Sequence, residues 1–312
     1  MHILILGAGA LGSLIGARLA QTGCRLALLT TDRQHVEAIR SGGLLIEELD
    51  GAIRRFPLDA YDDAHSLPEK ADLVVVTVKS HDTGPAVRSI KDRCHDATLF
   101  LTLQNGIGNW ETIAAMVGED AVLVGSTAQG ATLVEPGRIR HGGNGATFVG
   151  EFAKPVSARV REVVEFFRVA GLETHAGDQM QRLIWEKLLI NVGINAITAL
   201  TGVRNGAIAE LEPARRLSRA AVQEALAVAR GRGFAIGDEV LERVIAVAAA
   251  TGKNRSSMGQ DVDRKKRTEI NAINGAIVDF AGELGIPAPI NQALTQLVQI
   301  LESNYLKERG PA

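Results

Sequence analysis

The opening residues, MHILILGAGALG, constrain the fold more than any other stretch of the chain. An apolar run at 3–6 leads straight into Gly7, Ala8, Gly9, Ala10, Leu11 and Gly12, which have the G-x-G-x-x-G spacing, and an apolar helical pattern follows through 15–19. In a strand-turn-helix unit of this kind the glycines permit a tight turn and close backbone approach to a pyrophosphate, and the helix N-terminus favours the negative charge. The spacing alone is a weak signal. In this setting it predicts a dinucleotide site, with a structural glycine turn as the alternative.

Further continuous apolar runs at 26–29, 73–78, 98–103 and 121–124 have the texture of strands covered on both faces. Helical patterns lie between several of them, so a doubly wound parallel sheet is the natural assembly. Runs at 131–134, 138–141 and 147–149, separated by EPG and GGNG, predict antiparallel strands and hairpins that finish this sheet. Beyond Pro155 the period becomes helical, with later helices expected at 213–231, 237–250, 260–284 and 291–307. The predicted architecture is an α/β Rossmann-type doubly wound sheet over 1–177, followed by an all-α domain over 178–312.

With 312 residues, 46% of them hydrophobic, the chain can bury a large core, and its formal net charge of −2 gives no reason to expect nucleic acid or an anionic membrane as a partner. The run RKKR at 264–267 stands beside Asp261, Asp263 and Glu269 and reads as a solvated helix face. No basic, apolar and small-residue segments follow one another as in a secretory signal, and no uninterrupted apolar run reaches the about 20 residues that span a bilayer. Cys24 and Cys94 are far apart and form no metal-ligand cluster. The expectation is a cytoplasmic protein without a metal site, whose apolar helical half could support a homodimer.

Four places carry residues suited to chemistry. In LLTTDRQ, Asp32 and Arg33 are adjacent. An acid roughly 20 positions after the glycine fingerprint holds the ribose hydroxyl of NAD, whereas a basic residue accepts the 2′-phosphate of NADP, and a one-residue shift in the turn exchanges the two. Lys79 and Asn105 follow the runs 73–78 and 98–103, beyond the carboxyl ends of predicted parallel strands, where ligands of open sheets bind. Each also has a plainer reading, as a solvated lysine and an Asn-Gly turn. In IWEKLLINVGIN, at 184–195, Lys187, Asn191 and Asn195 recur every four residues and share one face of an otherwise apolar helix. A buried ammonium needs a partner or a lowered pKa, so the stripe is either a structural network or a proton donor with substrate-orienting amides. Finally, Ser257, Asp261 and Glu269 lie at multiples of four, which suits a carboxylate ligand and an acid that holds a lysine, or equally a capped surface helix.

Taken together, GAGALG, VKS, LQNG, EPGRIRHGG, WEKLLINVGIN, TGVRNG, SSMGQD, TEINAINGAIV and GIPAPIN, in this order, resemble the ketopantoate reductase (2-dehydropantoate 2-reductase) family over nearly the whole chain. The resemblance implies hydride transfer from NADP(H) to the C2 carbonyl of 2-dehydropantoate, giving (R)-pantoate on the route to pantothenate and coenzyme A. It implies Lys187 as general acid and Glu269 as the acid supporting it, the substrate hydroxyl and the cofactor side of the site. Asn105 would lie near nicotinamide and substrate, Asn191, Asn195 and Asn205 would bind the ends of pantoate, Ser257 would bind its carboxylate, and Lys79 would serve the cofactor. One departure stands out: where the family carries an arginine just after the second strand, this chain has Thr30 and Thr31, then Asp32. The resemblance favours NADP(H), with Lys79 and Arg33 expected to recover the phosphate contact, while Asp32 argues for NAD(H). Two alternatives stay open: a related reductase of another small branched 2-oxo acid, and a non-catalytic dinucleotide sensor, whose natural mark, loss of Lys187 or Glu269, is missing.

Overall fold

All five residues of β1 (His2–Leu6) are buried, and this strand sits inside the main sheet of a computed structural model that describes residues 1–307. The chain separates into two units, one of Met1–Gln104 with Gly108–Gln181, the other of Asn105–Ile107 with the chain from Arg182 onward.

In the first unit β1 is followed by α1 (Ala10–Ala20), β2 (Arg25–Leu29), α2 (Arg33–Gly42), β3 (Leu44–Glu47), β4 (Ile53–Phe56), β5 (Asp59–Tyr61), β6 (Ala71–Val76) and α3 (Thr83–Ser89). Then come β7 (Cys94–Thr102), α4 (Asn109–Val117), β8 (Val122–Thr127), β9 (Gly130–Glu135), β10 (Arg138–Gly143), β11 (Thr147–Gly150), α5 (Ala158–Val169) and β12 (Thr174–Ala176). The main sheet has the order β12-β11-β8-β7-β6-β1-β2-β5, parallel from β5 through β8, with β11 antiparallel to β8. Because β2 and β6 flank β1 on opposite sides, the winding reverses at β1, and such a reversal opens a crevice at the carboxyl ends of the strands.

The expectation that the strands near 131–141 finish this sheet is corrected. β9 and β10 join β3 and β4 in a separate four-stranded sheet of order β4-β3-β10-β9, and only β11 returns to the main one. The second sheet packs on α1, which explains why that helix is buried almost all round: Ile139, Ile46 and Leu44 share a core with Leu14 and Ile15. Alternation along a strand tells which face is apolar, but not which sheet receives it.

The second unit holds α6 (Met180–Thr201), α7 (Ala207–Glu210), α8 (Glu212–Gly231), α9 (Glu239–Ala250), α10 (Ser257–Asp263), α11 (Asn274–Leu284) and α12 (Pro289–Lys307). By length and composition α6 is apolar enough to cross a membrane, although charged and polar residues interrupt it; 61% of its 18-residue apolar stretch is buried inside the fold, as in a core helix. Its fit is tight. A Cβ added at Gly193 would lie 2.7 to 2.9 Å from Val244 on α9 and from Val222 and Ser218 on α8.

The single helix expected over 260–284 is also corrected. α10 ends at Asp263, the basic run turns with Lys265 at φ 54°, a short 3₁₀ turn covers Ile270–Ala272, and α11 starts at Asn274. Contacts from α12 explain the break: Thr268 N–H donates to Glu302 Oε1 (2.6 Å), and Tyr305 O–H donates to the Lys266 carbonyl (2.8 Å). The RKKR run is therefore a turn, with 265–267 exposed, and not a helix face. Ser257 and Asp261 lie on α10, while Glu269 stands outside it.

Candidate active site

The glycine loop is built by close backbone approach. Gly7 and Ala8 N–H both donate to the Leu29 carbonyl at 2.9 Å, and Thr77 Oγ1 donates to the Gly7 carbonyl at 2.9 Å. Gly7 has φ 104°, and a Cβ there would strike the Val78 backbone. A Cβ at Gly12 would lie 2.5 Å from both Gly7 O and Thr77 Oγ1. These two glycines let α1 settle onto β1 and the end of β6. Gly9 differs, because it is exposed and a Cβ there would meet nothing within 4 Å. It precedes α1 with no side-chain cap, so an anion can approach the backbone and the positive end of the helix, and these residues fit a dinucleotide diphosphate.

Behind the loop, Ser13 O–H donates to the Ala8 carbonyl (3.2 Å) and meets His35 Nε2 (3.1 Å), while Gly137 N–H donates to His35 Nδ1 (2.9 Å). Since Nδ1 accepts, Nε2 carries the proton and donates to Ser13. Ser13 and His35 are fully buried, so the second sheet braces the loop from the inside.

At the end of β2, the Asp32 carboxylate accepts the His35 backbone N–H (3.1 Å) as the N-cap of α2. Thr31 and Arg33 are exposed, and Arg33 Nε lies 3.3 Å from Asp62. Lys79 is part-exposed just after β6. Gln104 ties that rim to the end of β7: its amide donates to Val78 O (2.8 Å) and Thr83 Oγ1 (2.7 Å) and accepts from Thr102 O–H (3.0 Å).

The other sequence-selected residues gather in the second unit. Lys187, Asn191 and Asn195 fall on successive turns of α6. Burial pushes the Lys187 ammonium down to about 8, and the negative charge of Glu269, itself buried, works in the opposite direction. Asn191 Nδ2 is buried and has no hydrogen-bond partner among the described residues, a donor of the kind that a ligand oxygen can satisfy. Asn195 Nδ2 donates to Ser257 Oγ at 3.5 Å, linking α6 to α10. Asn205 gives its Nδ2 to Thr251 Oγ1 (3.0 Å), and its Oδ1 is buried without a partner among the described residues. Asn105 also belongs to this unit: two residues on, Ile107 N–H donates to the Ala272 carbonyl (3.1 Å), and Gly106 at φ 81° packs against Ala272 so closely that a Cβ would lie 2.6 Å from its carbonyl oxygen.

Several shaping residues escaped the sequence reading. Ser256 caps α10 by accepting Gly259 N–H (3.0 Å) and pairs with Thr198 Oγ1 (2.7 Å), a role that its spacing from Gly259 could have signalled. Thr77, Gln104 and His35 carry no periodic mark and act only through tertiary contacts. Burial raises the Cys94 thiol to about 11, which leaves it a poor nucleophile, and among the described residues no group of three His, Cys, Asp or Glu is placed to hold a metal.

Comparison with known proteins identifies the family. The family described as ketopantoate reductase PanE/ApbA matches residues 3–154, and its C-terminal counterpart matches 179–302. The 2-dehydropantoate 2-reductase of Halobacterium salinarum is 41% identical over 302 residues, covering 97% of this chain and 99% of its own. The crystal structure of a PanE/ApbA family ketopantoate reductase from Ralstonia eutropha superposes with a TM-score of 0.90 at 31% identity, covering 98% of this chain and 100% of its own. D-mandelate dehydrogenase, in a ternary structure with NADH and anilino(oxo)acetate, is similar with a TM-score of 0.91 at 26% identity, covering 98% of this chain and 99% of its own. With a glycine loop after β1, a part-buried lysine on α6 and family matches over both halves, this chain belongs to the ketopantoate reductase family of oxidoreductases.

Proposed function

We propose that the protein reduces 2-dehydropantoate to (R)-pantoate with NADP(H), and that Lys187 is the proton donor. The observation that carries this reading is Lys187 itself: a lysine lowered to about 8 beside a buried carboxylate, on the same helix face as Asn191, whose Nδ2 has no partner among the described residues. A bound reduced nicotinamide would supply the hydride for the substrate C2 carbonyl. As negative charge grows on the carbonyl oxygen, Lys187 neutralises it and delivers a proton from Nζ. Glu269 keeps the ammonium charged at neutral pH and accepts a hydrogen bond from the substrate hydroxyl. Asn191, Asn195, Asn205 and Ser257 hold the hydroxyl and carboxylate ends, and Asn105 orients the reacting carbonyl. The names of the relatives support the substrate, and the donors on α6 and α10 suit an anionic hydroxy acid.

For the cofactor, the reading rests on what the side chains after β2 already do. The Asp32 carboxylate serves as a helix cap, while Thr31 and Arg33 are exposed and offer a hydroxyl and a cation, a pair suited to a 2′-phosphate. Lys79 adds a second cation on the cofactor side.

A second reading, an NADH-dependent reductase of another small branched 2-oxo acid, is favoured by the likeness to D-mandelate dehydrogenase and by an acid at position 32. Steady-state oxidation of NADPH and NADH with 2-dehydropantoate and a panel of branched 2-oxo acids separates the two. Turnover of 2-dehydropantoate with a clear kcat/KM advantage for NADPH is expected. No turnover of it, with turnover of another acid, would replace the first reading by the second.

A further inference from the structure

The C-terminal end of α6 and the start of α10 are joined by Arg255, a side chain with no place among the motif residues. Its Nη1 donates to two backbone carbonyls, Thr198 O (2.5 Å) in the last turn of α6 and Val203 O (2.8 Å) just past it. Thr198 O also accepts the Gly202 N–H (3.1 Å), so the guanidinium is a second donor to that carbonyl, and its planar fork suits it to serve several acceptors together. The other edge of the guanidinium is bidentate to Asp263 at the end of α10, with Nε and Nη2 each 2.9 Å from a carboxylate oxygen. That pairing holds the Asp263 carboxyl below the ordinary carboxylate range. The helix makes room for it: a Cβ at Gly259 would lie 2.7 Å from Arg255 Cζ. The next residue, Ser256, caps α10 and bonds to Thr198 Oγ1, and the one after it, Ser257, meets Asn195 at 3.5 Å.

We infer that Arg255 is a positioning residue for substrate binding: by clamping the end of α6 to both ends of α10 it sets the spacing between Asn195 and Ser257. This rests on the proposed reading of those two residues as substrate anchors. Their separation stands at the outer limit of a hydrogen bond, so a shift of a few tenths of an ångström between the helices changes what the pair can grip. Lysine keeps the charge but lacks the planar fork, and cannot serve two carbonyls and a carboxylate together.

The test uses the full chain with Arg255→Lys, Asp263→Asn, Ser257→Ala, Asn195→Ala and the double variant Arg255→Lys/Ser257→Ala, measuring KM and kcat for 2-dehydropantoate, Kd for NADPH and NADH, and Tm. Arg255→Lys is expected to raise the 2-dehydropantoate KM about 10-fold with dinucleotide Kd unchanged, and to add little once Ser257 is already alanine. Asp263→Asn should act in the same direction more weakly, and it tests the clamp even if Arg255→Lys folds poorly. Equal effects of Arg255→Lys with and without Ser257, or a parallel loss of dinucleotide binding, would show a general structural role and overturn the inference. If Ser257→Ala and Asn195→Ala both leave KM unchanged, or the wild-type protein does not turn over 2-dehydropantoate, the anchor reading fails and the inference with it. A KM that rises in those two variants but not in Arg255→Lys or Asp263→Asn overturns the inference alone.

Discussion

The Lys187 ammonium lies within the field of the Glu269 carboxylate, and the two determinants of its proton affinity oppose each other: burial lowers it to about 8, and Glu269 keeps it from falling further. A proton donor with this pKa is charged at neutral pH and loses its proton only in mildly alkaline solution. Activity limited by Lys187 should therefore fall above pH about 8, close to tenfold per pH unit, in a profile of kcat/KM. Glu269→Gln removes the negative charge that raises the lysine and should move that alkaline limb to lower pH. Lys187→Ala should lower kcat by about 10²- to 10⁴-fold in a protein with native circular dichroism; near-wild-type kcat would reject the assignment. Stability carries the same signature. The folded-state value lies below the ordinary 10.5, so between about 8 and 10.5 the unfolded chain binds the extra proton, and this contribution to stability rises with pH. Denaturant melts of Lys187→Ala should lack that rise.

Asn191 has a buried donor without a partner among the described residues, which is a cost to the fold of about 1–3 kcal/mol that a ligand can relieve. Asn191→Leu is expected to leave Tm unchanged or higher and to raise the KM for the 2-oxo acid. A lowered Tm with unchanged KM would make Asn191 a structural residue.

Of the three glycines of the fingerprint, Gly7 and Gly12 are tightly packed, whereas Gly9 faces open space. Gly12→Ala places a Cβ 2.5 Å from Gly7 O and should destabilise the fold by about 1–3 kcal/mol, read as a lower urea midpoint. Gly9→Val projects into open space, so its urea midpoint should stay near wild type while dinucleotide Kd rises. Unchanged dinucleotide affinity in Gly9→Val would remove the loop from the cofactor site.

At the end of β2, Asp32→Asn preserves a helix cap, and Asp32→Ala loses one, at about 1 kcal/mol of stability. If capping is the whole role of Asp32, Asp32→Asn leaves kcat/KM for NADH unchanged, whereas Arg33→Ala lowers kcat/KM for NADPH more than for NADH. A large loss with NADH in Asp32→Asn would instead make Asp32 a ribose ligand and point to NAD(H).

Much of this was written locally. The glycine spacing after an apolar run determined the first strand, turn and helix, because backbone sterics at Gly7 and Gly12 act over a few residues. The four-residue repeat determined that Lys187, Asn191 and Asn195 share a face of α6, because helix geometry needs no partner to be read. Tertiary structure decided the rest. Whether β9 and β10 complete the main sheet or build a second one depends on α1 accepting a cover, and the break between α10 and α11 depends on Glu302 and Tyr305 arriving from α12. That Lys187 lies in the field of Glu269, that Asn195 meets Ser257, and that Arg255 clamps two helices are likewise outcomes of packing. A lysine's burial and charged neighbours are properties of the assembled core, and they decide its proton affinity where the order of residues along the chain does not.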